Sequence, residues 1–149
     1  MDFPEFEEIE ESGVNFFFEE TDFEIKNQDA IADWVVQTTS EEGCVFHHCS
    51  YIFCNDEYLH KINVEYLEHD DYTDVITFPY SEDRIEGEIY ISVDRVKDNA
   101  VLLGIPFENE LHRVMIHGML HLCGYTDKTP EDKSAMTAKE NFYLSKLQV

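Results

Sequence analysis

His117-Gly-Met-Leu-His121-Leu-Cys-Gly124-Tyr-Thr-Asp127 is the stretch around which the rest of the chain has to be arranged. Two histidines four residues apart project from one face of a helix, roughly 6 Å apart, so both imidazoles can hold a single ion. Gly124 follows the last helical turn, where a glycine takes the left-handed conformation that ends a helix. The chain then turns back and brings Asp127 toward the two rings. Two histidines and a carboxylate leave a fourth zinc position open for water, as a catalytic site requires. The spacing predicts one Zn2+ per chain, held by His117, His121 and Asp127 at the end of a central helix.

The two histidines, the glycine and the final ligand follow the metzincin spacing of zinc peptidases, but two positions differ. Gly118 stands where a peptidase carries the glutamate that deprotonates the zinc-bound water, so the usual peptide-hydrolysing base is missing. Asp127 stands where a histidine is usual, and a carboxylate oxygen is an acceptable zinc ligand. Glu110 falls on the same helix face as His117 but about 10 Å along the axis, too far for direct proton transfer. Its expected role is structural, or supporting behind the ligands.

Working outward, Phe107 to Leu122 is the helix that carries the histidines, preceded by a helix over Val93–Leu103 and divided from it by Gly104 and Pro106. Val14-Asn-Phe-Phe-Phe-Glu19 reads as a first strand. A helix follows from about Gln28 to Thr39, with Asn27 as its cap and Ile31, Trp34, Val35 and Thr38 on one face. Cys44 to Cys54 reads as a strand, and Asn55 caps a helix with Leu59, Ile62 and Tyr66 at apolar spacing. Thr73–Phe78, stopped by Pro79, and Glu88–Ser92 read as two further strands, both central. Thr129 and Pro130 open a last helix with Met136, Tyr143 and Leu147 inward. Strands and helices mix without strict alternation, which predicts an α+β fold with a small mixed sheet packed with helices.

At 149 residues the chain suits one domain, 1–149, with residues 1–13 as an acidic, peripheral lead. A hydrophobic content of 43% supports a packed core. No apolar run approaches the roughly 20 residues of a membrane span, and the acidic N-terminus lacks the features of a signal peptide. The expectations are no membrane and a cytoplasmic location. No glycine-rich phosphate loop is present, so no nucleotide cofactor is expected. The formal charge of −23 argues against a broadly basic nucleic-acid surface. Residues 1–24 hold ten acidic side chains and no Lys or Arg, a pattern usual in a solvated tail or edge. Any RNA contact has to come from local cations, with Arg84, Arg95, Lys97, Arg113 and Lys128 as candidates, or from the metal.

Cys44, Cys49 and Cys54 share one extended run and Cys123 lies inside the motif, with no Cys-x-x-Cys pair. Strand alternation sets Cys44 and Cys54 on one side and Cys49 on the other, so they read as separate buried thiols rather than a metal site.

His117-Gly-Met-Leu-His121-Leu-Cys-Gly124-Tyr125 closely resembles the signature of the YbeY family of bacterial ribosomal-RNA maturation factors. Asn63-Val-Glu-Tyr66, Asp70, Thr73-Asp74-Val75-Ile-Thr-Phe78-Pro79 and Gly87-Glu-Ile89-Tyr-Ile-Ser92 resemble its other blocks in the same order. The resemblance covers roughly residues 14–147. It implies a single-domain α+β fold, a zinc ion, and a single-strand-directed endoribonuclease that matures small-subunit (16S) ribosomal RNA, with ribosomal RNA and the ribosome or its small-subunit proteins as partners. Three positions depart from the family pattern: Asp127 replaces the third histidine, Thr126 replaces an aspartate, and Leu67 stands where most members carry an arginine that serves RNA binding or cleavage. His69, Arg84 and Arg113 are candidate substitutes for that guanidinium, and Asp70, Thr73 and Asp74, with Arg84 and Arg113, are candidates for the substrate cleft. Two other readings follow from the departures. One is a non-catalytic ribosome-assembly factor with a structural zinc, and the other a metal-dependent hydrolase of another substrate.

Overall fold

The computed structural model describes residues 13–149, so the acidic lead, apart from Gly13, lies outside the described residues. The chain order is β1 (Val14–Glu19), α1 (Gln28–Glu41), β2 (Phe46–Cys54), α2 (Asp56–Leu67), β3 (Val75–Pro79), β4 (Ile85–Ser92), α3 (Val93–Leu103), α4 (Phe107–Leu122) and α5 (Pro130–Leu144). The four strands form one mixed sheet in the order β1-β2-β4-β3. β1 and β2 are parallel, as are β2 and β4, and β3 runs antiparallel to β4. β4 is therefore central, as its apolar alternation suggests, whereas β3 is an edge strand. An edge is where Pro79 is tolerated, because its missing N–H need not pair.

Strand alternation gives the sheet two unequal faces. Tyr51 and Phe53 of β2 and Ile89 and Ile91 of β4 enter the main core with Ile31 and Val35 of α1, Leu111, Met115 and Met119 of α4, and Met136 and Tyr143 of α5. Cys54, Ile76 and Leu59 of α2 form a smaller cluster on the other face, with Phe78 and Tyr90 packed against it. Tyr51 is fully buried and donates its hydroxyl to Met115 O at 3.0 Å, and Trp34 Nε1 donates to Tyr143 O at 2.7 Å. Both polar atoms thus keep a partner inside the core, without which burial would cost each about 1–3 kcal/mol.

Three of the five helix starts are capped by a side chain, and those of α1 and α4, after Asn27 and Pro106, are not. Asn55 accepts from Tyr58 N, Ser92 from Arg95 N and Thr129 from Asp132 N, so three orphan amides are satisfied at the N-termini of α2, α3 and α5. Asn27 does not cap with its side chain; it takes a left-handed conformation, φ 58°, which asparagine tolerates. Two further departures arise from tertiary packing. Tyr66 is 67% exposed rather than inward, and its ring meets the sheet edge-on at Phe78 of β3. Cys44 precedes β2 and packs against the main core like Cys49, since an irregularity between Phe46 and His48 shifts the strand's phase. All four cysteines are free. No helix among the described residues is long and apolar enough to cross a membrane.

Candidate metal centre

α4 lies against the sheet with its C-terminal half beside β3 and β4, and Gly118 is the residue that permits the approach. A Cβ built at Gly118 would sit 2.8 Å from Ile89 Cγ2 and 3.4 Å from Thr77 Cγ2. The position where a peptidase carries its glutamate is therefore a packing contact with the sheet, with no room for an acidic side chain.

The helix ends at Gly124, φ 110°, in a Schellman arrangement: Tyr125 N donates to Leu120 O at 3.0 Å and Gly124 N to His121 O at 3.0 Å. That turn swings the Tyr125 carbonyl back to His121 Nδ1, at 2.9 Å. Glu140 on α5 approaches the other ring, with Oε2 2.6 Å from His117 Nδ1. Both Nδ1 atoms are thereby assigned as donors, which leaves both Nε2 atoms free to act as ligands.

The two Nε2 atoms are 3.0 Å apart, and Asp127 Oδ2 lies 3.5 Å from that of His117 and 3.6 Å from that of His121. The circle through three atoms so separated has a radius of about 2.0 Å, the length of a zinc–nitrogen or zinc–oxygen bond. Three acceptors converging on one point repel one another unless a cation sits between them, so the donor set fits a divalent ion. His117, His121 and Asp127 can coordinate a metal together. Burial alone would lower the His117 pKa, but the carboxylates of Glu140, Asp127 and Asp74 outweigh it and hold it above the ordinary histidine value. An ion entering the site displaces that proton.

The ligands open into a cleft of about 570 Å3 whose walls include Asn63, Leu67, His69, Asp71, Thr73 and Asp74, with Val75, Ile76 and Thr77 of β3. Thr73 and Asp74 thus come to the candidate ligands, and Leu67 lines the cleft with them. Asp70 and Arg84 do not line it: Asp70 Oδ1 is 2.9 Å from His60 Nε2, and Arg84 pairs with Glu86 at 3.0 Å beside the β3–β4 turn. Arg113 stands behind the ligands, donating to Glu140 Oε1 at 3.0 Å. It shares a pocket of about 180 Å3 with Asp74, Glu110, His117 and Glu140. Glu110 is buried there with Oε1 lacking a hydrogen bond, and burial pushes its carboxyl above the usual range. Thr126 donates to Asp132 Oδ2 at 2.8 Å, tying the ligand loop to the start of α5.

Glu140 is the functional residue that reading along the chain missed. Its signal was present: it falls four residues after Met136 and three before Tyr143, an acidic side chain on the apolar face of α5.

The class that fold and site define is an α+β domain whose central helix and returning turn present to an open cleft two histidines and a carboxylate able to hold a metal ion. The match to known proteins is closer than that class. The family model for Endoribonuclease YbeY matches residues 15–148, and the chain belongs to that family. It is 47% identical over 135 residues to Endoribonuclease YbeY of Amoebophilus asiaticus (strain 5a2), spanning 89% of this chain and 92% of that protein. It is 46% identical over 139 residues to Endoribonuclease YbeY of Cytophaga hutchinsonii, spanning 92% and 97%. The solution structure of a Thermotoga maritima protein superposes with a TM-score of 0.63 at 28% identity, covering 89% of this chain and 88% of that one.

Proposed function

We propose that this chain is a zinc-dependent endoribonuclease that cuts single-stranded regions of small-subunit ribosomal RNA during ribosome biogenesis in the cytoplasm, with one Zn2+ held by His117, His121 and Asp127. The observation that carries the reading is the convergence of three acceptor atoms on one point about 2.0 Å away, at the wall of an open cleft. A bound zinc supplies Lewis-acid polarisation of a phosphoryl oxygen or a lowered pKa for a water molecule.

The chain's own residues do the remaining work. Glu140 and the Tyr125 carbonyl hold a proton on each Nδ1 and fix the ring orientations. Gly118 seats α4 against Ile89 and Thr77, which fixes the ligand helix relative to the cleft wall. Asp74 is the cleft carboxylate best suited to take a proton from the attacking hydroxyl. Burial raises its pKa, outweighing the backbone hydrogen bonds and His117 that lower it.

A second reading, a ribosome-assembly factor with a structural zinc, is favoured by one observation: among the described residues the cleft is lined by Asp71, Asp74 and Asp127 and by no Lys or Arg. Metal content and cleavage of structured and single-stranded 16S RNA fragments, measured on wild type and His121→Ala, separate the two. About one zinc per chain, lost together with cleavage in the variant, supports the nuclease. Zinc without cleavage, and unfolding on chelation, supports the assembly factor.

A further inference from the structure

The turn that carries Asp127 is tied to the end of α1 by a buried carboxylate. Glu42 follows directly on α1, and its side chain is 9% exposed. Tyr125 donates its hydroxyl to Glu42 Oε1 at 2.7 Å, Tyr143 of α5 donates to Oε2, and Lys139 Nζ lies 3.1 Å from that same oxygen. A helix C-terminus disfavours a carboxylate, and burial adds a desolvation cost. The three donors offset both. Burial would raise the Glu42 pKa, but the hydroxyls of Tyr143 and Tyr125 and the Lys139 ammonium outweigh it and hold it below the ordinary carboxylate value. Glu42 therefore stays ionised at neutral pH and accepts from two hydroxyls at once.

Tyr125 is held at both its main chain and its side chain. Its N–H donates to Leu120 O at 3.0 Å, its carbonyl accepts from His121 Nδ1 at 2.9 Å, and its ring packs against the main core before the hydroxyl reaches Glu42. Gly124 just before it has φ 110°, and a Cβ built there would meet nothing within 4 Å, so no packing at that position steadies the turn. A glycine leaves the peptide that follows it wide conformational freedom. The hydroxyl anchor on Glu42 opposes that freedom, one residue from the glycine and two residues from Asp127.

We propose that Glu42 is a positioning residue of the metal centre: by holding the Tyr125 hydroxyl it keeps the Tyr125 carbonyl on His121 Nδ1, and so aims His121 Nε2 at the ion. Glu140 supports His117 by direct contact with its ring. Glu42 supports His121 at one remove, with Tyr125 as the link. The inference rests on the metal site proposed above and is independent of what that site cleaves.

The test uses zinc-loaded, 15N-labelled full chain, with zinc affinity read by chelator competition and the imidazole N–H resonances of His117 and His121 read by NMR. Tyr125→Phe keeps the ring in the core and removes the hydroxyl. It is expected to weaken zinc binding about tenfold and to shift the His121 Nδ1–H resonance while that of His117 stays in place. Glu42→Ala is expected to move the same resonance, and the double variant to lose little more affinity than the larger single loss, because both changes break one link. Additive losses mean that hydroxyl and carboxylate act separately, and they overturn the proposal. Trp34→Phe is the control, since it removes the 2.7 Å bond from Nε1 to Tyr143 O, which joins α1 to α5 without involving the turn. It should lower the urea midpoint and leave zinc affinity and the His121 resonance unchanged. If it moves both as far as Tyr125→Phe does, the effect is a general loosening and the proposal fails. An unmoved His121 resonance in Tyr125→Phe overturns it as well. Wild type that binds no zinc sinks the metal-site reading itself, whereas wild type with one zinc per chain and a Tyr125→Phe variant that holds it equally tightly sink this inference alone.

Discussion

Glu140 Oε2 lies 2.6 Å from His117 Nδ1, joining two helices across 23 residues of sequence. Its second oxygen accepts from Arg113 at 3.0 Å, so the carboxylate is itself oriented. A ligating imidazole whose other nitrogen donates to a fixed carboxylate is more basic and better aimed than a free one. Glu140→Gln is expected to weaken zinc binding by about 10- to 100-fold while leaving the fold intact, as read by competition with a chelator of known affinity. Unchanged affinity in that assay removes Glu140 from the support of the site.

Asp127 is the one carboxylate of the proposed ligand set, 3.5 Å from His117 Nε2 and 3.6 Å from His121 Nε2. Asp127→Ala leaves two histidines, too few for a stable site, and the zinc-to-protein ratio should fall sharply by mass spectrometry. Asp127→His places a third imidazole in the same turn and should retain the ion. Loss of zinc in that variant means that the turn after Gly124 is shaped for the shorter carboxylate arm.

Gly118→Ala tests whether the helix seat is as tight as its geometry indicates. The added methyl gains about 1 kcal/mol of helix propensity, but it meets Ile89 Cγ2 at 2.8 Å in a packed interior, where such insertions cost about 1–3 kcal/mol. Net destabilisation of about 1 kcal/mol, with a lower urea midpoint and reduced zinc affinity, is the expected result. A midpoint at or above wild type shows that α4 can lift from the sheet without strain.

The helix boundaries and the clustering of His117, His121 and Asp127 were legible because each rests on local rules: apolar spacing, capping side chains, and the glycine that ends α4. The sheet's order was not. Whether β3 is central or at an edge depends on which strand lies beside it, and an apolar run bounded by turns looks the same in both places. Pro79 was the clue that favoured an edge. Tyr66 shows the same limit, since its helical spacing is apolar although its ring stays largely exposed and meets the sheet edge-on at Phe78. Glu140 was hidden for a different reason. Its role is set by its distance to a ring on another helix, which spacing along α5 does not reveal.

Glu110 gives the native state a pH dependence of predictable sign. Burial, with Asp74 and Glu140 nearby, raises its folded pKa in spite of Arg113. A carboxyl raised on folding contributes stability below its unfolded pKa of about 4.3 and loses that contribution as pH rises through the folded value. Glu110→Gln removes the buried charge, so the variant should be more stable than wild type at pH 7.5, with the difference shrinking as pH falls toward 4. Urea unfolding at both pH values checks this, and a difference that grows on acidification contradicts the sign.

Leu67→Arg adds a guanidinium to a cleft that has no Lys or Arg among its described lining residues. Leu67 is 39% exposed on the cleft wall, so a longer polar side chain fits without disturbing the core. A guanidinium binds phosphate through two parallel hydrogen bonds, and one new ion pair with single-stranded RNA steepens the salt dependence of log K by about 0.7. The variant should bind single-stranded RNA roughly tenfold more tightly at low salt and cleave it faster at subsaturating concentration. Tighter binding with an unchanged salt slope means that the arginine packs against the wall instead of reaching a phosphate. No change in either quantity means that substrate does not pass Leu67 on its way to the ligands.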